Sequence, residues 1–480
     1  MMKIRALLFS SRGGLLLLPW AILVGLTFRA SPYGLTEEGA KALLLAWSIG
    51  DQVASAVLTL GAPDIRAILF LPLGFLWSGQ VIAAKVLTLL TMAGAGVALY
   101  RWRRREDQDE AALLATGLLL IAPLTVESIS ALSAAPFLLA ICGAAAWLNQ
   151  MLGSERGALG GSFFAQLLLC GAAVSLHPAG LAYPAVLFFT WWTNPPDQRH
   201  REYFLLGIPL VVLLMLAMRL GWPGMAWGQN PLPAAAAVFS GSRTESPLST
   251  EDWLIGFTVL ALTLAVALHE RRRLVADLTG GTLLLGVLFG AVAADRTWGV
   301  LMLALLLYGG LPWLLRACAP LAGRGLVVQR GWLWLLLLLI STSFMRTHKS
   351  DYEAGRHNLF SAQDQLIRAF VEGVSSLQTG ERAGGQPAAP ILVASSWPAR
   401  TAIACKCDGL PLPPVAKDPE KQLAMMRGVS YMILADSTDN RGLANNFAQL
   451  GPRVEVLSRQ PGGVVLHFKP DLSIPPVHTL

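Results

Sequence analysis

Two adjacent carboxylates, Glu37 and Glu38, stand in the stretch SPYGLTEEGAKALLLAWSIGD, just beyond the first apolar run of the chain. A positioned carboxylate can take the proton of an attacking hydroxyl, and one of the pair suffices for one proton. A reaction that also expels a phosphate needs cations, or a divalent metal ion (Mg or Mn), where negative charge develops. Lys85 lies near the start of an apolar run, Arg219 near the end of another, and Arg296 between two more, in AADRTWG. His177 stands at a His-Pro break and could hydrogen-bond a phosphate or a sugar, while Trp222 and Trp227 could stack on a sugar. Each residue also has a plainer use. Thr36 suits an N-cap, and acids in a first turn complement the helix dipole. Lysine can snorkel, arginine and tryptophan anchor at interfaces, and a His-Pro break can satisfy its own loop.

The elements that must position these residues are apolar. Of 480 residues, 54% are hydrophobic and 14% charged, against about 25% charged in an ordinary soluble protein. The runs GLLLLPWAILVGLTF, VIAAKVLTLLTMAGAGVALY, DWLIGFTVLALTLAVAL and GWLWLLLLLISTSF each approach the ~20 residues of a membrane-crossing helix. The chain therefore reads as a polytopic α-helical membrane protein. No cleavage site with a soluble sequence follows the opening MMKIRALLFSSRGG, so the first helix reads as retained. The net charge of +7 is no nucleic-acid footprint, because the arginines gather at the ends of apolar runs. Cys142, Cys170 and Cys318 lie in or beside such runs and read as small hydrophobes. Cys405 and Cys407 are too closely spaced for a disulfide framework and lack histidines for zinc, which leaves packing or an incidental pair.

Placing the basic clusters Lys3/Arg5/Arg12, RWRRR at 101–105, Arg199/Arg201, Arg271–Arg273 and Arg316/Arg324/Arg330 in the cytoplasm gives about eleven spans. Residues 14–28 go out and 80–101 return, leaving 29–79 outside with a Pro-containing apolar piece, AILFLPLGFLWSG, read as re-entrant or interfacial. Residues 110–126 and 134–150 form a pair, 162–193 breaks at His177-Pro178 into two short helices, and five more spans run from 203 to 345. This transmembrane part, 1–345, leaves the C-terminal part, 346–480, on the outer side of the membrane. The latter holds an amphipathic helical stretch, a GERAGGQPAAP linker and four β-rich runs, ILVASS, YMILAD, VEVLSR and GVVLHFK, with QPGG joining the last two. Alternation with helical segments predicts a small α/β domain in which 391–396 and 431–435 are neighbouring central strands. It carries neither GxGxxG nor GKS/GKT, which argues against a nucleotide site.

Acids in an outside loop among amphipathic and apolar helices suit an interfacial reaction on a lipid-linked substrate, such as a polyprenyl-phosphate sugar. The stretch LTEEGAKALLLAWSIG, followed by GAPDIRAILFLPLGFLWSGQVIAAKVLTLLTMAGAGVALYRWRRR, resembles the first periplasmic loop and second span of GT-C fold glycosyltransferases. In pattern it is similar to the aminoarabinose (lipid A) transferases and the protein O-mannosyltransferases. Their acidic pair, Pro-containing apolar segment, glycine and basic residue near the start of a span correspond here to Glu37 and Glu38, Pro72, Gly79 and Lys85. The resemblance implies transfer of a sugar to a periplasmic lipid, glycan or protein, with an acid of the pair as base. Two departures stand out. Glu37 replaces the family's usual Asp, and in VESISALSAAPFLLA a second acid is replaced by Ala134 and Ala135, with Glu127 about two helical turns earlier. One loop supplies few oxygen ligands for a divalent ion. A non-catalytic scaffold that binds a partner is the alternative. An O-antigen-ligase type would need an outer loop rich in Arg and His, whereas 221–251 has Arg243 alone; a transporter would show repeats or mid-membrane acids.

Overall fold

The computed structural model describes residue 20 and residues 33–51, 65–77, 79–104, 109–154, 161–218, 231–240, 250–293, 295–313, 338–349, 362–383, 391–426, 428–437, 440–450, 453–460 and 462–468. Two compact units result, one of Met1–Arg29, Ala62–Ile65 and Lys85–Glu353, the other of Ala30–Gly61, Arg66–Ala84 and Ala354–Leu480.

The first unit is helical. Its described helices include α3 (Val81–Arg104), α4 (Asp109–Ile121), α5 (Pro123–Ser130), α6 (Ala135–Ser154), α7 (Gly161–Leu176), α8 (Ala182–Thr193) and α9 (Arg201–Met218). After these come α10 (Pro231–Ser240), α11 (Thr250–Ala276), α12 (Leu278–Gly290) and α13 (Arg296–Leu305); the two earlier helices, α1 (Glu37–Asp51) and α2 (Ile65–Leu76), are described with the second unit. Along α9, Tyr203, Leu206, Leu210 and Leu213 are exposed at a spacing of three and four residues. A stripe that a soluble helix would bury here faces outward, as it does toward lipid. The protein is a helical membrane protein. Among the described residues three helices are long and apolar enough to cross, or four if the pair 111–121 and 123–130, bent by 52°, is one span. The eleven spans expected from the basic clusters are not reached by this measure. The expected span at 14–28 lies, apart from Trp20, outside the described residues, and of 331–345 the part from 338 on is described, as helix. The run 110–126 is also not one straight helix. Pro123 has no N–H to continue the ladder, so the chain turns at Ala122 and restarts with Pro123 in the first helical position.

His177-Pro178 breaks the run 162–193 as expected. The His177 ring accepts from the Ala179 amide at 3.1 Å and heads a short 3-10 turn, Pro178–Leu181. That turn lies so close to α7 that a Cβ on Gly180 would fall 1.8 Å from the Ala173 carbonyl oxygen. Only glycine fits there.

In the second unit α1 (Glu37–Asp51) begins at Thr36, whose hydroxyl accepts from the Gly39 amide at 3.1 Å. The apolar Pro-containing piece is α2 (Ile65–Leu76). It meets α1 at Gly74, where an added Cβ would lie 2.2 Å from the Ala46 carbonyl oxygen. Next come α14 (Ala362–Ala383), β1 (Leu392–Ser395), α15 (Pro398–Cys405), β2 (Asp408–Pro411), α16 (Pro419–Met425), β3 (Tyr431–Ala435), α17 (Arg441–Gln449), β4 (Val454–Gln460) and β5 (Gly463–Phe468). The strands form one sheet in the order β2-β1-β3-β5-β4. β1 runs parallel to both β2 and β3, and β5 antiparallel to both β3 and β4. The runs 391–396 and 431–435 are thus neighbours inside the sheet. Alternation along β3 sends Met432 and Leu434 to a core with Leu443 and Phe447 of α17. Tyr431 and Ile433 face the opposite core, with Leu366 and Phe370 of α14. β2, four residues ending in Pro411, is the strand that the sequence patterning missed.

Candidate functional site

The acidic pair sits in the first turn of α1, and the structure separates its two members. Helix α15 has Pro398 at its first position and Trp397 before it, with no side-chain cap. The amides that a local cap would satisfy are those of Ala399 and Arg400. They donate instead to Glu37, Ala399 to Oε1 at 3.0 Å and Arg400 to Oε2 at 3.2 Å, across 362 residues of sequence. A carboxylate at a helix N-terminus also meets the positive end of the dipole. Burial pushes the Glu37 carboxyl above its ordinary pKa. The Ala399 amide, Lys41, the Arg400 amide and the Arg400 guanidinium pull the other way and do not outweigh it.

Arg400 ties the same corner together. It donates to Gln363 Oε1 at 2.8 Å and to Asp364 Oδ1 at 2.5 Å, and its guanidinium carbon lies 5.6 Å from the Trp397 ring centroid. Asp364 Oδ1 also accepts from the Gly34 amide at 2.9 Å, two residues ahead of the Thr36 cap. Arg400 and Asp364 are both buried, so neither charge can be left alone cheaply. Neither residue was singled out from the sequence. No local signal marks them, since each is ordinary on an amphipathic helix. Glu38, beside all this, has no hydrogen bond or ion pair among the described residues.

A second polar group lies in the first unit. Asp295 caps α13, accepting from the Trp298 amide at 3.0 Å. His177 Nε2 lies 3.2 Å from Asp295 Oδ1. With Nδ1 an acceptor, Nε2 is the nitrogen that carries the proton in the neutral tautomer. Burial would raise the Asp295 carboxyl, but the facing His177 and the amides of Trp298 and Thr297 hold it below its ordinary pKa. Arg296, the first residue of α13, pairs with Glu127 of α5 at 3.0 Å and keeps about a third of its side chain exposed. Glu127, noted in the sequence for standing in the wrong place to be a second acid, is therefore the partner of a candidate phosphate ligand. Ala134 and Ala135 are buried. Around them the buried hydroxyls of Thr125, Ser128 and Ser133 have no hydrogen-bond partner among the described residues. The signal for Asp295 was present, as an Asp directly before an apolar helical run is a capping pattern.

Lys85 is fully buried on α3 rather than at a surface. Arg219, Trp222 and Trp227 lie outside the described residues. Among the described residues no three His, Cys, Asp or Glu side chains come together. No step below runs through a metal.

One reading is corrected. Cys405 and Cys407 form a disulfide, with Cα atoms 5.2 Å apart. Spacing alone had argued against it. Helix α15 ends at Cys405, and Lys406 turns left-handed with φ 55°, which folds Cys407 back within the usual disulfide range.

No protein-family model matches the sequence, and no curated protein does. Among solved structures the chain is similar to ArnT from Cupriavidus metallidurans in the apo state, at 13% identity and TM-score 0.49, over 94% of this chain and 97% of that one. It is also similar to the structure of ArnT from that organism bound to undecaprenyl phosphate, at 12% identity and TM-score 0.47, over 97% and 98% of the two chains. No residue role is carried over from either.

Proposed function

We propose that the protein is a GT-C-type glycosyltransferase of a bacterial inner membrane, moving a sugar from a polyprenyl-phosphate donor to a periplasmic lipid, glycan or protein. Glu38 is its general base and Glu37 a positioning residue. The observation that carries this assignment is the division of the acidic pair. Both Glu37 oxygens are engaged by amides of α15, while Glu38 keeps its carboxylate uncommitted one residue on. In the step proposed, the acceptor hydroxyl oxygen attacks the anomeric carbon as Glu38 takes its proton. The bond from that carbon to the phosphate oxygen breaks, and the phosphate leaves with the electron pair. The leaving charge needs a cation; Lys85, Arg219, Arg296 and His177 are candidates to be tested singly. The apolar exterior of the first unit suits the polyprenyl tail.

The test is transfer from a purified polyprenyl-phosphate sugar in reconstituted membranes. Glu38→Gln should insert and fold normally and lose about 100-fold or more in rate, the scale of a general base. Full transfer by Glu38→Gln and by the Glu37→Gln/Glu38→Gln double variant would end the catalytic reading. A second reading, a non-catalytic scaffold that binds a partner, is favoured by the capping duty of Glu37 and by the buried alanines at 134 and 135. It predicts no transfer by the wild type and a Glu→Gln phenotype in partner binding alone.

A further inference from the structure

The Cys405–Cys407 bond does little that the main chain does not already do. Loop-closure stabilisation grows with the length enclosed, and this ring encloses only Lys406. Nor does α15 depend on it. The helix is held at its other end by Glu37, through Arg400 by Asp364 and Gln363, and through Thr401 by the Ser395 hydroxyl at 2.8 Å. Both cysteines pack on one side against the core around Phe370 and Tyr431 and are open on the other. Cys405 and Cys407 are half-buried, Lys406 between them and Asp408 after them are exposed, and the β2 strand that follows is an outer strand of the sheet. Lys406 sits in the left-handed region, which is costly for a residue with a Cβ. Lys406, the residue between the two sulfurs, supplies a positive charge one position from either thiolate that opening releases.

We propose that Cys405–Cys407 is a thiol–disulfide exchange site for an external thiol, not a structural staple. An incoming thiolate attacks one Sγ, the Sγ–Sγ bond breaks, and the displaced cysteine leaves as a thiolate that takes a proton. A second external thiol attacks the mixed disulfide and releases the other cysteine. The chain gains two electrons and two protons, and the two external thiols lose them as they join in a disulfide. This is independent of sugar transfer and stands or falls without it.

The test uses the full-length protein in bilayers, incubated without denaturant in glutathione buffers, quenched in acid, alkylated and digested. The readout is the mass of the peptide carrying both cysteines. Glutathione alone should add two alkyl groups to it, and excess glutathione disulfide should reverse this. The Cys407→Ser variant should accumulate a glutathione adduct on Cys405. The Cys405→Ser/Cys407→Ser variant should keep wild-type protease resistance across 391–468. The proposal is overturned if the bond opens only in denaturant, if both thiols alkylate even in the oxidised buffer, or if the double variant loses protease resistance.

Discussion

Replacing Glu37 with Gln separates capping from chemistry. The carboxylate offers an acceptor oxygen to each of two amides, at 3.0 and 3.2 Å. The side-chain amide of Gln keeps one acceptor and turns an NH2 group toward the other donor. Losing one hydrogen bond to a charged acceptor costs about 1.5 kcal/mol, roughly a tenfold change in a local opening equilibrium. Relief of charge burial offsets part of this globally but does not restore the lost acceptor, so the effect should concentrate in the first turn of α15. Hydrogen exchange read on the 398–405 peptide of the full-length protein should therefore rise about tenfold in Glu37→Gln and stay unchanged in Glu38→Gln. A pH series adds a sign. With its pKa raised in the folded state, Glu37 contributes stability that is fully present below the ordinary carboxylate value and lost as pH rises through the raised one. Glu37→Gln should erase that slope. Equal exchange in wild type and Glu37→Gln, or an equal increase in Glu38→Gln, would refute the capping argument.

Removing the guanidinium with Arg400→Met leaves Asp364 buried without its cation, and should cost about 3–5 kcal/mol in unfolding of the C-terminal unit by denaturant; a loss of a few tenths would show that the pair is not isolated from solvent. Asp295 has a lowered folded pKa, so its contribution is present above the ordinary carboxylate value and lost as pH falls through the lowered one. Asp295→Asn should flatten the acid limb of a thermal-stability profile. Ser128→Ala removes a buried hydroxyl with no partner among the described residues, and should be neutral or stabilising within about 0.5 kcal/mol in a melting comparison; a large loss would mean that the hydroxyl is bound to something. Impermeant labelling of cysteines introduced in spheroplasts at 440 and 104 should mark the first and spare the second, and the reverse would overturn the orientation.

Local patterns in the sequence were enough wherever the cause lay in neighbouring residues. Thr36 caps α1 because its hydroxyl reaches an amide three residues on, and His177-Pro178 breaks a run because proline cannot extend it and the imidazole caps the turn that follows. The unbroken apolar run YMILA predicts a strand buried on both faces, and β3 is one. The same reasoning missed β2, which is too short and too poor in β-branched residues to leave a pattern. It also placed Glu37 correctly in a first turn without telling whose helix it caps. That was decided by packing. α15 begins with a proline and a tryptophan that leave two amides unmet, and only the folded unit brings a carboxylate from 362 residues away to meet them. The Arg400–Asp364 pair arises in the same way, since a charge on a helix face names no partner until burial makes solitude costly. Spacing excluded a Cys405–Cys407 bond because it counts residues. The left-handed turn at Lys406 brings the sulfurs together, and that turn exists only where the helix ends.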